Sequence, residues 1–250
     1  MINITVQILD NMKPILFTLC LFMMVNSFVS CGTHPKEDSS TRFIVNENSD
    51  TEINQANTNT TTADLSVESH DTLGAVFSAD AVSISEEEKK MYKLLMAYRV
   101  ENNLPEIPLS KSLTFVAQQH CKDLYHNQPD KPKECNAHSW SANGAWTACC
   151  YTSDHKQASG MWKKPAELTQ YTGNGFEIAC GSSKVNGDYN MTAEYAVESW
   201  KESSGHNNVI LNQDVWNDFP WGAIGVGIYK GFACVWFGQQ EDPAGVIEIK

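Results

Sequence analysis

The sequence predicts an α+β domain at the end of a long polar tether. Two helical patterns lie before the middle of the chain, two strand patterns with a tight turn between them lie near its end, and a polar segment without hydrophobic periodicity precedes both. Helices followed by an antiparallel pair of strands are typical of α+β domains. The polar segment cannot bury enough apolar surface to offset its chain entropy, so we expect it to be disordered.

A short apolar run near the start of the chain predicts export. Residues 14–25 are apolar apart from Thr18, and these twelve residues fall short of the about 20 that a membrane-spanning helix needs. The run has the length of a signal-peptide core. Residues 1–31 are therefore predicted to be a signal peptide, and translation from Met12 would place Lys13 directly before the apolar run.

The end of this run resembles a bacterial lipobox. Ser30-Cys31-Gly32 places a small residue before a cysteine, although Phe28 stands where Leu is usual. The resemblance implies that Cys31 is lipidated and holds the protein on a membrane through its acyl chains. The alternative is ordinary cleavage near Ser30, which would release a secreted protein.

Composition separates a linker, residues 32–85, from a domain, residues 86–250. All seven Trp and all eight Tyr lie in the domain, whose 20 acidic and 15 basic residues contribute −5 to the net charge of −12. These 165 residues are enough for one domain with its own core. No basic stripe of the kind that binds nucleic acid is present, which argues against a nucleic-acid partner.

Capping residues predict three helices in the domain. Ser85 precedes three glutamates and an apolar pattern at helical spacing that ends near Asn102. A second pattern runs from about Ser110 to Tyr125, and a third follows Thr192 over residues 193–201. Residues 126–165 are expected to be irregular.

Two strands are predicted over residues 223–229 and 232–237. Both are rich in β-branched and aromatic residues, and Lys230-Gly231 between them has the composition of a tight hairpin turn.

Six cysteines lie in the domain, at positions 121, 135, 149, 150, 180 and 234. Export permits disulfides, and the sequence alone does not choose among the pairings. We expect Cys135 to pair with Cys149 or Cys150 and so to close the loop between them. No C-x-x-C pair is present, which disfavours a thiolate zinc site.

An ordered set of short motifs resembles the CAP superfamily of cysteine-rich secretory proteins, also called SCP domains. Each motif is weak by itself, but the set keeps the family's order across residues 88–240. The motifs are Leu95–Pro105, His138-Ser139-Trp140, Ala196–Trp200, Gly205-His206-Asn207, Ile224–Gly227 and Ala233–Gly238. The resemblance implies an α-β-α sandwich.

The resemblance also implies a cleft with two His and two acidic residues that can hold a divalent metal. The two His correspond to His138 and His206, and the first acid corresponds to Glu177, shifted by one residue from the family's position. Ser203 stands where the second acid is usual, directly after Glu202. A three-ligand site of His138, His206 and Glu177 is therefore expected.

The chemistry of these residue types leaves two interpretations open. Two imidazoles and one carboxylate with an open position suit catalytic zinc, whose bound water ionises near neutral pH. Alternatively, the same residues are hydrogen-bonded structural residues of the cleft. Trp140, Glu202 and Ser203 are expected to line the cleft, whereas His120 is expected to be an amphipathic or surface residue.

Three functions fit this sequence. The first is a surface-tethered module that binds a small apolar ligand or a protein partner through the cleft. The second is a metal-dependent hydrolase, with zinc as the cofactor, and the third is a structural or adhesion factor of the cell envelope. A shared fold does not choose among them, because function depends on the site.

Overall fold

The computed structural model describes residues 73–185 and 189–249. The predicted signal peptide, Cys31 and the linker as far as residue 72 lie outside the described residues. Among the helices within the described ranges, none is both long and apolar enough to cross a membrane.

Three antiparallel strands form the middle layer of the domain. They are β1 (Phe176–Cys180), β2 (Ala223–Tyr229) and β3 (Phe232–Gly238), with β3 in the centre. β2 and β3 form the predicted hairpin, and Lys230 adopts a left-handed φ of 50° in its turn. β1 was not predicted as a strand; it pairs with β3 at the other side, with Glu177 opposite Trp236.

The helices include the three that were predicted. In chain order they are α1 (Glu86–Glu101), α2 (Lys111–Asn127), α3 (Ala158–Trp162), α4 (Lys164–Leu168), α5 (Ala193–Glu202) and α6 (Ser204–Ile210), followed by a 3-10 turn (Asp214–Trp216). The hydroxyls of Ser85, Ser110 and Thr192 accept backbone N–H groups at the starts of α1, α2 and α5. Because α3 lies within residues 126–165 and α4 begins there, the prediction that this whole segment is irregular was wrong.

The sheet is covered on both faces. α2 packs on β2 and β3 from one side, while α1 and α5 pack together on the other side and contact β2 and β1, respectively. Two apolar clusters correspond to the two faces, one around Val116, Trp140 and Trp236 and the other around Leu95, Trp200 and Val235. The domain is therefore an α-β-α sandwich of the α+β class, as expected.

α2 lies unusually close to the sheet. A Cβ atom added to Gly225 would lie 2.0 Å from the carbonyl carbon of Leu113, and one added to Gly227 would lie 2.5 Å from that of Ala117. Strand glycines that permit such an approach let a helix backbone rest directly on the strand. Residues 112–124 of α2 are consequently buried on every side.

The last part of the predicted linker belongs to the domain. The N–H of Gly74 donates to Gln119 Oε1 at 2.7 Å, and the rings of Phe77 and Phe115 meet edge-to-face at 5.3 Å. Gln118 Nε2 donates to the carbonyl of Ser83 at 2.9 Å. Residues 73–85 therefore contact α2, although they precede the predicted domain boundary at Glu86.

Candidate functional site

A fully buried carboxylate, Glu177, joins two histidines on the α2 side of the sheet. Its Oε1 lies 2.5 Å from His120 Nδ1, and its Oε2 lies 2.8 Å from His138 Nδ1. The Glu177 side chain is 0% exposed. β1 supplies the carboxylate, α2 supplies His120, and the irregular chain before α3 supplies His138, so three separate parts of the fold meet here.

The partners of His120 define its charge. Nε2 lies 2.9 Å from the carbonyl oxygen of Ser139, which only accepts, so Nε2 carries a proton. Nδ1 faces the carboxylate of Glu177, whose pKa is about 2: burial raises it, but the charges and hydrogen bonds of His120 and His138 outweigh burial. Burial lowers the pKa of His120, yet the interaction with Glu177 raises it above the ordinary value. The two residues therefore form a buried imidazolium–carboxylate pair.

An aromatic ring covers this ion pair. The indole of Trp140 stacks on the His120 ring with centroids 4.2 Å apart and an interplanar angle of 6°. Trp140 is only 2% exposed, so it is a wall of the buried pair and does not line an open cleft. The prediction that His120 is an amphipathic or surface residue was wrong, because α2 is buried all round and leaves no solvent face at this position.

The loop that carries His138 is fixed by a disulfide and a short backbone pairing. Cys135 and Cys150 form the disulfide, which confirms the expected pairing and selects Cys150 from the two adjacent candidates. The backbones of Trp140 and Cys149 exchange two hydrogen bonds, of 2.7 and 3.0 Å. These constraints hold His138 against Glu177 without help from a regular element.

A tyrosine–histidine pair extends the cluster beyond His138. The rings of His138 and Tyr151 meet at 5.2 Å, and the Tyr151 hydroxyl lies 2.9 Å from His155 Nδ1. Burial raises the pKa of Tyr151 and lowers that of His155, which the neighbouring His138 lowers further. Neither Tyr151 nor His155 is among the site residues predicted from the sequence.

His206 lies on α6 and is buried, with 6% exposure. Its pKa is lowered to about 4, first by burial and then by the electrostatic interaction with His138. The imidazole of His206 is therefore neutral at pH 7.

The residues at the second acidic position differ in exposure. Glu202, the last residue of α5, is exposed to solvent. Ser203 is partly buried, and its Oγ has no hydrogen-bond partner within the described part of the chain although that atom is inaccessible. Neither Glu202 nor Ser203 therefore supplies a second carboxylate ligand to the buried cluster.

The donor atoms near Glu177 do not match the expected three-ligand metal site closely. Both oxygens of Glu177 already contact imidazole nitrogens. Within residues 73–185 and 189–249, two groups of three possible ligand atoms lie within 4.8 Å of one another, and His206 belongs to neither group. A metal on His138, His206 and Glu177 would require the carboxylate to release a histidine. That site stays a prediction.

Comparisons with known proteins give structural neighbours only. No protein-family model matches the chain, and no curated protein matches it. An extracellular protein of Bacillus anthracis that contains an SCP domain has 17% identity and a TM-score of 0.40, over 62% of this chain and 40% of that protein. An outer surface protein of Borrelia burgdorferi has 16% identity and a TM-score of 0.40, over 64% of this chain and 97% of that protein.

A cysteine-rich secretory protein of Staphylococcus aureus has 11% identity and a TM-score of 0.38, over 63% of this chain and 41% of that protein. The chain thus spans less than half the length of the Bacillus and Staphylococcus proteins. The first of these two is described as containing an SCP domain and the second as a cysteine-rich secretory protein.

Proposed function

We propose that this chain is an exported CAP-like binding module that recognises a small apolar ligand and does not hydrolyse it. The observation that carries the proposal is the state of Glu177. A carboxylate that acts as a general base needs a pKa near the working pH, whereas the pKa of Glu177 is about 2 and both of its oxygens are engaged. Glu177 thus suits the orientation of His138 better than the activation of water.

A groove on the opposite side of the sheet supplies apolar space for a ligand. It lies between α1 and residues 246–249 and has a volume of about 440 Å³, within the range of small-molecule sites. Apolar side chains from both sides line it, among them Met96, Ala97, Leu109, Ile247 and Ile249. The charged residues Lys93, Glu106 and Glu248 also line the groove, so it suits an aliphatic chain that carries a polar group. The proposal thus extends ligand binding from the histidine cleft to this groove.

The groove proposal has a direct test with a dansyl-labelled undecanoic acid as the probe. Ala97 is exposed on α1 and lines the groove, so Ala97→Trp fills it without disturbing the core. Val100 is 54% exposed on the same helix, does not line the groove and serves as the matched control, Val100→Trp. We expect saturable probe fluorescence with the parent and the control and a loss with Ala97→Trp. Equal binding by all three proteins, or none by the parent, would contradict the proposal.

Export and tethering are supported by the apolar run and Cys31, and by the Cys135–Cys150 disulfide, since disulfides persist in oxidising compartments. We propose that Cys31 is lipidated. Fractionation of cells that express the parent and Cys31→Ser tests this: the parent should partition with membranes and the variant should not. A variant that still partitions with membranes would refute the anchor and leave the binding proposal standing.

A metal-dependent hydrolase is the second candidate, and one observation favours it. The pKa of His206 is about 4, so this imidazole is in the neutral form that metals bind. Zinc-dependent cleavage of a peptide or ester library by the parent, abolished in His206→Ala, would replace the binding proposal with this one.

A further inference from the structure

Three different donor atoms converge in the interior around Glu177. His120 Nδ1, Glu177 Oε1 and Cys234 Sγ all lie within 4.8 Å of one another, and all three residues are buried. Cys234 is on the central strand β3, and its Sγ lies 3.8 Å from His120 Nδ1. Cys234 is a thiol, not a disulfide partner.

We propose that His120, Glu177 and Cys234 form a binding site for a zinc-type divalent cation, which shares Glu177 with the cleft site expected at His138 and His206 but uses different partners. Imidazole, carboxylate and thiolate are the three ligand classes that zinc takes in proteins. The site would be structural, because a fully buried ion that joins α2, β1 and β3 holds the helix to the sheet. The inference does not depend on the proposed binding function.

The surroundings of these atoms already have the form that metal ligands need. A ligating histidine usually donates its other ring N–H to a carbonyl or carboxylate, and a ligating carboxylate is itself hydrogen-bonded. His120 Nε2 donates to the Ser139 carbonyl at 2.9 Å, and Glu177 Oε2 accepts from His138 at 2.8 Å. Each of the two ligands therefore has one atom fixed and presents the other to the site.

The distances require one small adjustment. Zinc–ligand bonds of about 2.0 Å to N or O and about 2.3 Å to S, at tetrahedral angles, place N and S about 3.6 Å apart and N and O about 3.3 Å apart. The observed Sγ–Nδ1 distance of 3.8 Å is close to the first value. The Nδ1–Oε1 distance of 2.5 Å must open, since a proton now joins these atoms. Rotation of the carboxylate about its last bond opens this distance without moving β1, and the His138 ring must follow Oε2 to keep their hydrogen bond.

Charge balance favours an ion with two positive charges. Binding displaces the Nδ1 proton of His120 and the thiol proton of Cys234, so two protons leave as one divalent cation enters. His120 and Glu177 together are neutral before binding, because one proton is shared between Nδ1 and Oε1. The site is neutral again afterwards, as one dication, one carboxylate and one thiolate. A buried site that keeps zero net charge avoids the large desolvation cost of an unpaired charge.

Cys121 is a possible disulfide partner for Cys234. Cys121 Sγ lies 3.3 Å from the carbonyl of Gly227, which pairs directly with Cys234 across the β2–β3 ladder. A disulfide between the two thiols would remove Cys234 as a ligand. Cobalt binding and thiol counting on the same sample separate the two outcomes.

The test uses cobalt(II) as the probe on the full chain, because the site is closed to solvent and the ion must enter as the protein folds. The chain is unfolded in urea without reductant, which keeps Cys135–Cys150 intact, and refolded at neutral pH with one equivalent of cobalt. We expect a thiolate-to-cobalt charge-transfer band in the near ultraviolet, tetrahedral visible bands and release of two protons per ion. Zinc should displace the cobalt and remove the bands.

Two variants locate the ion. Cys234→Ser should abolish the charge-transfer band, while His206→Ala should keep it, since His206 belongs to the cleft and not to this group. Cobalt bound without a thiolate band would place the ion in the cleft and overturn the inference. Absence of bound cobalt in the refolded parent would overturn the inference as well. So would an alkylation count that is two thiols short because Cys121 and Cys234 have formed a disulfide. The parent's spectrum decides even if Cys234→Ser does not fold.

Discussion

Replacement of Glu177 by Gln tests the buried ion pair on which the site is built. Gln keeps the size of the side chain but removes its charge, so the His120 imidazolium loses its counter-charge in a closed interior. The pKa of Glu177 falls from 4.5 to about 2 on folding, and one pKa unit corresponds to about 1.4 kcal/mol. The carboxylate therefore contributes roughly 3 kcal/mol to the free energy of unfolding at neutral pH. Removal of one member of a buried pair costs about 3–5 kcal/mol in other proteins.

The stabilisation by Glu177 should depend on pH in a definite direction. The pKa of Glu177 is depressed in the folded state, so its contribution is fully present above about pH 4.5 and is lost as the pH falls toward about 2. Urea unfolding followed by circular dichroism, in EDTA so that no metal contributes, measures the free energy at each pH. The difference between the parent and Glu177→Gln should be large at neutral pH and should shrink across this acidic window.

The matched control is Glu194→Gln. Glu194 pairs with Lys90 at the surface, where such pairs contribute little, so the unfolding midpoint should stay where it is. If Glu177→Gln unfolds at the same urea concentration as this control, or if its difference from the parent does not change with pH, the buried ion pair does not exist as described.

Three further predictions concern other parts of the fold. Gly225→Ala should lower the free energy of unfolding by about 1–3 kcal/mol, because the added Cβ meets the backbone of α2; urea unfolding measures it. Replacement of both Cys135 and Cys150 by Ser should cost about 3 kcal/mol, the loop-closure entropy expected for a separation of 15 residues, measured in the same way. His206→Gln should flatten the pH dependence between about pH 6.5 and 4. In the parent the unfolded state binds a proton there that buried His206 does not, so stability falls by roughly 3 kcal/mol as the pH drops through this range.

Each of these has its own control. Gly160→Ala adds a Cβ that meets only the side chain of Cys149 and should be nearly neutral, so an equal loss in both glycine variants would contradict the close approach of α2. Reduction of the parent should reproduce the double serine variant. A parent with no loss of stability between pH 6.5 and 4 relative to His206→Gln would mean that His206 titrates normally.

The helix starts were predicted correctly because each depends on residues close together in the sequence. Ser85, Ser110 and Thr192 cap the helices they were expected to begin, because a capping hydroxyl acts on N–H groups two or three residues away. The β2–β3 hairpin was found for the same reason, since its turn lies between its own strands. β1 was missed because its five residues are all buried and a short run without alternation does not distinguish a strand from other buried chain.

The site depends on contacts between distant parts of the chain, and these were predicted only in part. His138 and Glu177 were named through the family resemblance, and they do meet. His120 was assigned to the surface because helical periodicity supposes one solvent face, whereas α2 has none where it crosses Gly225 and Gly227. Cys234 carried no metal signal, since its neighbours in the site lie 57 and 114 positions away in the sequence.

The pairing of Cys135 with Cys150, and not with Cys149, has a consequence for the tryptophan fluorescence of this protein. Adjacent side chains on an extended segment point in opposite directions, and the backbone of Cys149 is paired with Trp140. A chain oxidised at Cys149 instead would have to slip by one residue and would draw the indole of Trp140 away from the His120 ring. Because a stacked imidazolium quenches indole fluorescence, correctly oxidised molecules should be dimmer than misoxidised ones. Tryptophan emission therefore offers a readout of the fidelity of oxidation.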